Sequence, residues 1–244
     1  MRHVLITGAA SGIGFDTATR FLRAGEHVIA CDRDAKGLAT LSEAVGVDAR
    51  RLTLVRIDLA DLDSFDEAEE AVRQVGGLDV LVNCAGVCSG TRLDEITPQE
   101  WDLAYAVNVR GPFFLTQRLI PFLEGREKAC IVNVSSMAGF TGGIQSNPAY
   151  SSSKAAVTCT TKNLAKFLAP KGIRVNEVSP GTAQTQMTMK WLGEDGLKPF
   201  VEKVPMGRVA VAADIGKVIL FLASDEAGFI TGQAIQVNGG MYIP

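Results

Sequence analysis

Seven short runs rich in Val, Ile and Leu alternate along this chain with longer segments of helical period, and that alternation leaves few folds open. The strand candidates are Val4–Thr7, His27–Asp32, Leu52–Asp58, Val80–Asn83, Cys130–Ser135, Arg174–Ser179 and Ala234–Asn238. Several lack polar alternation, as strands covered on both faces do. Between them, Gly12–Ala24, Ala35–Val45, Asp61–Val75, Gln99–Leu123, Tyr150–Leu168 and Ala212–Ala223 read as helices. The pattern implies an α/β fold: a Rossmann-like, doubly wound parallel sheet of about seven strands, with helices on both faces and right-handed crossovers.

The 244 residues, 47% of them hydrophobic, suffice for one sizeable core. No Pro/Ser-rich linker, charge block or repeat divides them, so a single domain over residues 1–244 is expected. A net charge of −3, a pI near 5.5 and scattered Lys and Arg argue against nucleic acid or a membrane surface as partner. The chain opens straight into a strand pattern without a leader signature, and no apolar run is long enough to span a bilayer. A soluble, cytoplasmic protein is the expectation. Five cysteines, Cys31, Cys84, Cys88, Cys130 and Cys159, lack zinc-ribbon or redox-pair spacing and read as buried reduced thiols. Cys88 is also a candidate pocket residue, and no metal site is expected. Both histidines, His3 and His27, fall at strand starts, whereas ligands of open α/β sheets bind at the carboxyl ends. Any acid–base chemistry must use another side chain.

The first strand runs into Thr7-Gly8-Ala9-Ala10-Ser11-Gly12-Ile13-Gly14. Gly8 permits a tight turn, Gly12 lets the backbone approach a pyrophosphate, and Gly14 allows close helix–strand packing, while the helix N-terminus meets the negative charge. Ser11 and Ile13 belong to the same cradle. The spacing differs from GxGxxG and from a P-loop, which needs Gly-Lys-Ser/Thr. The second strand ends in Asp32-Arg33, and a carboxylate there can accept hydrogen bonds from adenosine ribose hydroxyls. It would also repel a 2′-phosphate, by about 4 kcal/mol per charge pair at ~4 Å and an effective dielectric near 20. Arg33 could turn toward such a phosphate, but the glycine turn itself holds no Lys or Arg, so NAD is the expected cofactor.

Tyr150 and Lys154 stand four residues apart and share a helix face. A free phenol, with a pKa near 10, is a poor base at neutral pH, and a neighbouring ammonium would favour its ionised form. Such a pair is common by chance, but its company narrows the reading. Over essentially its whole length the chain resembles the short-chain dehydrogenase/reductase family, in its compact single-domain branch. Thr7 to Gly14 is similar to the family's TGxxxGxG turn, and Asp58-Leu59 to the pair that contacts adenine. Asn83-Cys84-Ala85-Gly86 resembles its NNAG, Asn108 its helix asparagine, Ser135-Ser136 the strand end that delivers the catalytic serine, and Tyr150/Lys154 its YxxxK. Pro180-Gly181, with Ala183 and Thr185, resembles the segment that grips the nicotinamide carboxamide, and Ile230–Gln233 with Val237–Gly240 its closing strand.

Three departures stand out. Cys84 replaces an Asn, Asn238 stands where the family usually has Asp, and Ser136 lies one residue further from Tyr150 than is common. The last implies one extra residue in the loop Gly139–Ala149, with Ser135 as the alternative serine.

The resemblance implies that Tyr150 takes the hydroxyl proton while hydride passes between a carbinol carbon and nicotinamide, with Ser136 bonding the substrate oxygen. Lys154 would lower the Tyr150 pKa and hold the nicotinamide ribose, and Asn108 would hold a water that relays protons from Lys154. It further implies a homo-oligomer, a tetramer, paired through the helix carrying Ala155, Ala156, Cys159, Thr160 and Asn163. The expected substrate is a small-molecule secondary alcohol or ketone of polyol, sugar or hydroxy-acid type; the alternative is a 3-oxoacyl thioester. A lid is expected over residues 182–206, where periodicity is weak, and Met187, Met189, Trp191, Leu192, Phe200 and several charged residues fit either substrate. Cys88, Arg92, Ala138, Gln145 and Pro148 are further pocket candidates. Two rivals remain. Ser151–Lys154 satisfies SxxK, an acyl-enzyme motif, without its Ser-Asp-Asn and Lys-Thr-Gly companions. A nucleotide-sensing scaffold would suit the fold if Tyr150 or Lys154 were missing.

Overall fold

The computed structural model describes residues 1–46, 49–143, 147–192 and 195–244. In chain order its elements begin with β1 (His3–Thr7), α1 (Gly12–Arg23), β2 (His27–Asp32), α2 (Ala35–Val45), β3 (Leu52–Arg56), α3 (Phe65–Gln74) and β4 (Val80–Asn83). They continue with α4 (Pro98–Tyr105), α5 (Gly111–Leu123), β5 (Cys130–Val134), α6 (Ala138–Thr141), α7 (Pro148–Leu168) and β6 (Arg174–Pro180). Last come β7 (Ala183–Gln184), α8 (Gln186–Leu192), α9 (Lys198–Val201), β8 (Ala210–Val211), α10 (Ala212–Leu222) and β9 (Ala234–Val237).

Seven strands form one sheet in the order β3-β2-β1-β4-β5-β6-β9, and each neighbouring pair is parallel. The near-continuous apolar runs have a simple cause. Leu5, Ile29, Leu81, Ile131 and Val175 point into one core with Phe65, Leu115 and Leu164 of α3, α5 and α7. Their neighbours Val4, Ile6, Val28, Val80, Val132 and Val178 point into the other, with Phe21, Leu41 and Ile219 of α1, α2 and α10. The inner strands β1, β2, β4, β5 and β6 therefore serve two cores through alternate residues. Winding reverses between β1 and β4, which opens a crevice at their carboxyl ends. His3 and His27 lie at the opposite ends, in register, with rings edge to face at 5.6 Å.

Two expectations change. The single helix over Gln99–Leu123 is α4 and α5 joined by a π turn at Ala106–Arg110. Pro112 has no N–H to return to the carbonyl of Asn108, so the regular ladder cannot run through. A Cβ on Gly111 would also run into the carbonyl of Leu59, which fixes how closely this segment passes the β3–α3 loop. The described residues of the segment expected to form a lid are more regular than its periodicity suggests. Its β7 pairs parallel with β8, and α8 and α9 are too short to display a helical period. Among the described residues, no helix is long and apolar enough to cross a membrane.

Candidate active site

A cleft of about 500 Å³ runs along the carboxyl ends of the strands. At its first end, Gly8 (φ +73°) and Gly12 (φ +55°) make the turn from β1 to α1. The backbone of Ala85 lies 2.8 Å from where a Cβ on Gly8 would stand, and a Cβ on Gly14 would run into the Gly8 carbonyl. Ser11 precedes α1 without capping it by its side chain, and no acidic residue occupies the first turn, so the helix's leading amides keep their partial positive charge. The Thr7 hydroxyl accepts from the amides of Cys84 and Ala85 at 3.1 and 3.2 Å and ties this turn to the end of β4. Asp32 accepts from the Ala10 amide through Oδ2 (3.1 Å) and from the Asp34 amide through Oδ1 (3.0 Å). It is therefore a brace of the glycine turn as well as a cleft residue. An anionic dinucleotide fits this end: glycines where a side chain would fill the cradle, unopposed helix amides, and a cleft-lining carboxylate at the end of β2.

Gly8, Ser11, Gly12, Ile13, Gly14, Asp32, Arg33, Asp58, Leu59, Ala85, Gly86, Pro180, Gly181, Ala183 and Thr185 all line the cleft, as do Tyr150, Lys154 and Ser136. Thr185 comes from the lid and faces Gly12, its Cβ 3.5 Å from where a Gly12 Cβ would be. Of the further pocket candidates Cys88 and Ala138 line it too, whereas Arg92 is exposed and paired with Asp94, and Pro148 opens α7. Gln145 lies outside the described residues.

At the second end, Asn147 caps α7 by accepting from the Tyr150 amide (3.0 Å), which fixes where the helix begins and so where its first turn points. Lys154 sits one turn on, buried, its Nζ 5.8 Å from the Tyr150 ring centre. The Ser136 hydroxyl accepts from the Ala138 amide (3.1 Å) and lines the cleft with the Tyr150 phenol, whose proton affinity it lowers. Ser135 points inward and donates to the Lys154 carbonyl (2.9 Å). Gly139 fits against α7, with the Ala155 nitrogen 2.7 Å from where its Cβ would stand.

The electrostatics differ from expectation. Burial pushes the Tyr150 phenol up to about 12, opposed by Ser136, and burial lowers Lys154 to about 8. The ammonium donates to the Val134 carbonyl at 2.9 Å rather than to the phenol. Burial thus holds Tyr150 as a proton-bearing acid in the protein alone. Cys84 and Cys88 are pushed to about 12 and about 11 by burial and stay neutral thiols.

Two expected site residues stand behind the cleft rather than in it. Asn83 is buried and donates to Thr116 (3.1 Å) and Asn133 (2.9 Å). Asn108, in the π turn, accepts from the Val87 amide (2.8 Å) and donates to the Val87 carbonyl and Ser153 (both 3.0 Å). It shapes the loop after β4, with Gly86 set between it and Lys154. Asn238 is nearer the site than its position in sequence suggests, its Cβ 2.8 Å from where a Gly181 Cβ would be. Sequence reasoning passed over Glu177, which lies fully buried on β6 behind Lys154. The signal was present: a carboxylate in mid-strand, in a sheet covered on both faces.

A cleft that joins an anion cradle to Tyr150, Ser136 and the buried Lys154 at the switch point of a doubly wound sheet defines a Rossmann-type oxidoreductase. A family model described as enoyl-(acyl carrier protein) reductase matches residues 8–242. A 3-oxoacyl-[acyl-carrier-protein] reductase of Thermotoga maritima is 41% identical over 242 residues, covering 98% of this chain and 97% of the relative. Among solved structures, a short-chain dehydrogenase/reductase titled glucose/ribitol dehydrogenase, from Brucella melitensis, superposes with a TM-score of 0.93 at 33% identity, covering 100% of this chain and 97% of that one. A 3-ketoacyl-(acyl-carrier-protein) reductase from the same organism, complexed with NADH, gives 0.91 at 32% identity, with 99% and 98% covered. The chain belongs to the short-chain dehydrogenase/reductase family.

Proposed function

We propose that this protein reduces a 3-oxoacyl thioester to the 3-hydroxyacyl form with NADH. The observation that carries the reading is that Tyr150 and Ser136 line one cleft, the phenol held in its protonated form by burial. A ketone reductase needs a proton donor and an oxygen-binding hydroxyl at one point, and this pair supplies both. The likeness to 3-oxoacyl reductases over nearly the whole chain supports the substrate class.

In this reading Gly8–Gly14, Asp58-Leu59, Ala85-Gly86 and Pro180–Thr185 hold the cofactor, and Lys154 holds its nicotinamide ribose. When bound, the dihydronicotinamide supplies a hydride to the carbonyl carbon. Ser136 donates a hydrogen bond to the carbonyl oxygen and steadies the charge that grows there. Tyr150 then gives its proton to that oxygen, and the Lys154 ammonium beside it stabilises the phenolate left behind. Phe200, Met187 and the other lid residues exclude water from the reacting centre.

Asp32 supports NAD over NADP, because a 2′-phosphate would have to stand beside a carboxylate already fixed by two amides. A Brucella relative of the same named activity, complexed with NADH, agrees with that preference. The second reading is oxidation of a polyol, sugar or hydroxy acid, favoured by the glucose/ribitol dehydrogenase title of another relative. A product panel separates the two. The enzyme with NADH and acetoacetyl-CoA should yield 3-hydroxybutyryl-CoA, while NAD with ribitol, glucose and 2-hydroxy acids should give far slower NADH formation. The opposite ranking would replace the first reading with the second.

A further inference from the structure

Asn83, Asn133 and Glu177 stand in register across β4, β5 and β6. Two residues before each, Leu81, Ile131 and Val175 face the core under α5 and α7, so these three face the same way. The two amides are joined to each other, and Asn133 donates to Thr161 of α7 (2.8 Å). The row ends in a carboxyl group with no exposure to solvent.

Glu177 Oε1 accepts from Thr158 Oγ1 at 2.8 Å and from Ser179 Oγ at 2.6 Å, and Ser135 Oγ stands 3.4 Å from Thr158 Oγ1. Oε2 is buried without a partner. Each hydroxyl belongs to a different segment of the active site. Thr158 lies one turn beyond Lys154 on α7, Ser135 precedes Ser136, and Ser179 precedes Pro180-Gly181. Ser135 donates in turn to the Lys154 carbonyl at 2.9 Å.

From this placement we infer that Glu177 is a positioning residue: its carboxylate locks these three segments together and supplies the negative charge that keeps the Lys154 ammonium protonated. The groups facing Lys154 otherwise carry no charge, since Cys84, Cys88 and Tyr150 are held neutral by burial. The groups facing Glu177 from β5 and β9, Asn133, Ser135 and Ala234, are neutral, and Arg174 on its own strand is turned to the carbonyls of Leu222 and Ser224. Burial raises the Glu177 carboxyl and lowers Lys154, and each opposes the other's shift. The inference rests on the reading of Lys154 as the residue that serves Tyr150 and the cofactor.

Glu177→Gln tests it, because the amide oxygen keeps the acceptor at Oε1 while the charge is lost. Without the carboxylate Lys154 should deprotonate at lower pH. The alkaline limb of kcat/KM should then move down by about one pH unit, which is about tenfold in rate above both limbs. Glu177→Ala should lose rate at every pH, since the tether goes as well. A limb that stays put in a folded Glu177→Gln enzyme overturns the inference.

Infrared spectroscopy gives a readout that needs no substrate and no Glu177 variant to be active. Wild type at pH 7 should lack a protonated-carboxyl C=O band assignable to Glu177. Lys154→Met should gain one, and Lys154→Met/Glu177→Gln should lose it again. A band already present in wild type, or absent from Lys154→Met, contradicts the coupling whatever the enzyme's substrate proves to be.

Discussion

The Lys154 ammonium donates to the Val134 carbonyl across 2.9 Å, so the helix that carries the acid–base pair is latched to the strand that delivers Ser136. That latch keeps a cation out of water, and its cost shows in the pKa of about 8 against the ordinary 10.5. The folded value lies below the unfolded one, so between pH 8 and 10.5 the unfolded chain binds more protons and stability rises with pH. Two and a half units correspond to roughly 3 kcal/mol. Comparing unfolding free energies of wild type and Lys154→Met, the difference should move toward wild type by about that amount from pH 8 to 10.5. A difference that stays flat over this window means that Lys154 is not buried in solution. The variant should also lose turnover.

Gly139 meets the backbone of Lys154 and Ala155 at distances no Cβ tolerates, 2.8 Å to the Lys154 carbonyl carbon and 2.7 Å to the Ala155 nitrogen. Gly139→Ala must therefore push α6 from α7 and separate Ser136 from Tyr150. Displacements near 1 Å can cost on the order of a hundredfold in rate. The variant should lose kcat by ten- to a hundredfold, a rough range set by that principle, with cofactor affinity little changed. Wild-type kcat would show that the close packing does not set the reacting geometry.

Asp32→Ser should shift preference from NAD toward NADP. The substitution removes the ribose-directed carboxylate and its repulsion of a 2′-phosphate, and leaves Arg33 at the cleft to pair with that phosphate. Loss of a charge-assisted hydrogen bond is worth ~1.5–3 kcal/mol. Because Asp32 also braces the Ala10 amide, affinity for both cofactors should fall somewhat while their ratio moves. Paired steady-state kinetics with NAD(H) and NADP(H) check this. An unchanged ratio, or wild-type preference for NADP, contradicts it.

The outer face of α4, α5 and α7 leaves Trp101, Leu103, Phe114 and Phe167 exposed beside Ala155, Ala156 and Cys159. Symmetric self-association is the common way to cover such a face. Multi-angle light scattering should report a multiple of the 25.9 kDa chain, a tetramer by the family resemblance. A monomer at micromolar concentration contradicts this.

Much of this was legible in the residues. The inner strands were readable because each feeds two cores, and the glycine turn because only glycine fits beside Ala85 and the Gly8 carbonyl. Two things hid. Asn83 and Asn108 matched family motifs, yet a motif names a residue without saying which side of the cleft wall it occupies, and both lie behind it. The protonation of Tyr150 also escaped, because the four-residue spacing shows that Lys154 is near but not how far both groups are removed from water. Glu177 escaped for a related reason. Its partner Thr158 comes from α7, nineteen residues away, so no local spacing announces the contact.

The most direct test of the central claim is the rate of NADH oxidation with acetoacetyl-CoA, measured by NADH fluorescence on wild type and on folded Tyr150→Phe. The phenylalanine keeps the ring and its packing and removes only the proton donor. A positioned general acid contributes ~10²–10⁴-fold. The account predicts thioester-dependent turnover in wild type, with NADH preferred to NADPH, and a loss of at least about a hundredfold in Tyr150→Phe with NADH binding retained. Wild type that leaves NADH untouched with this substrate, or a variant that keeps more than about a tenth of kcat, would contradict it.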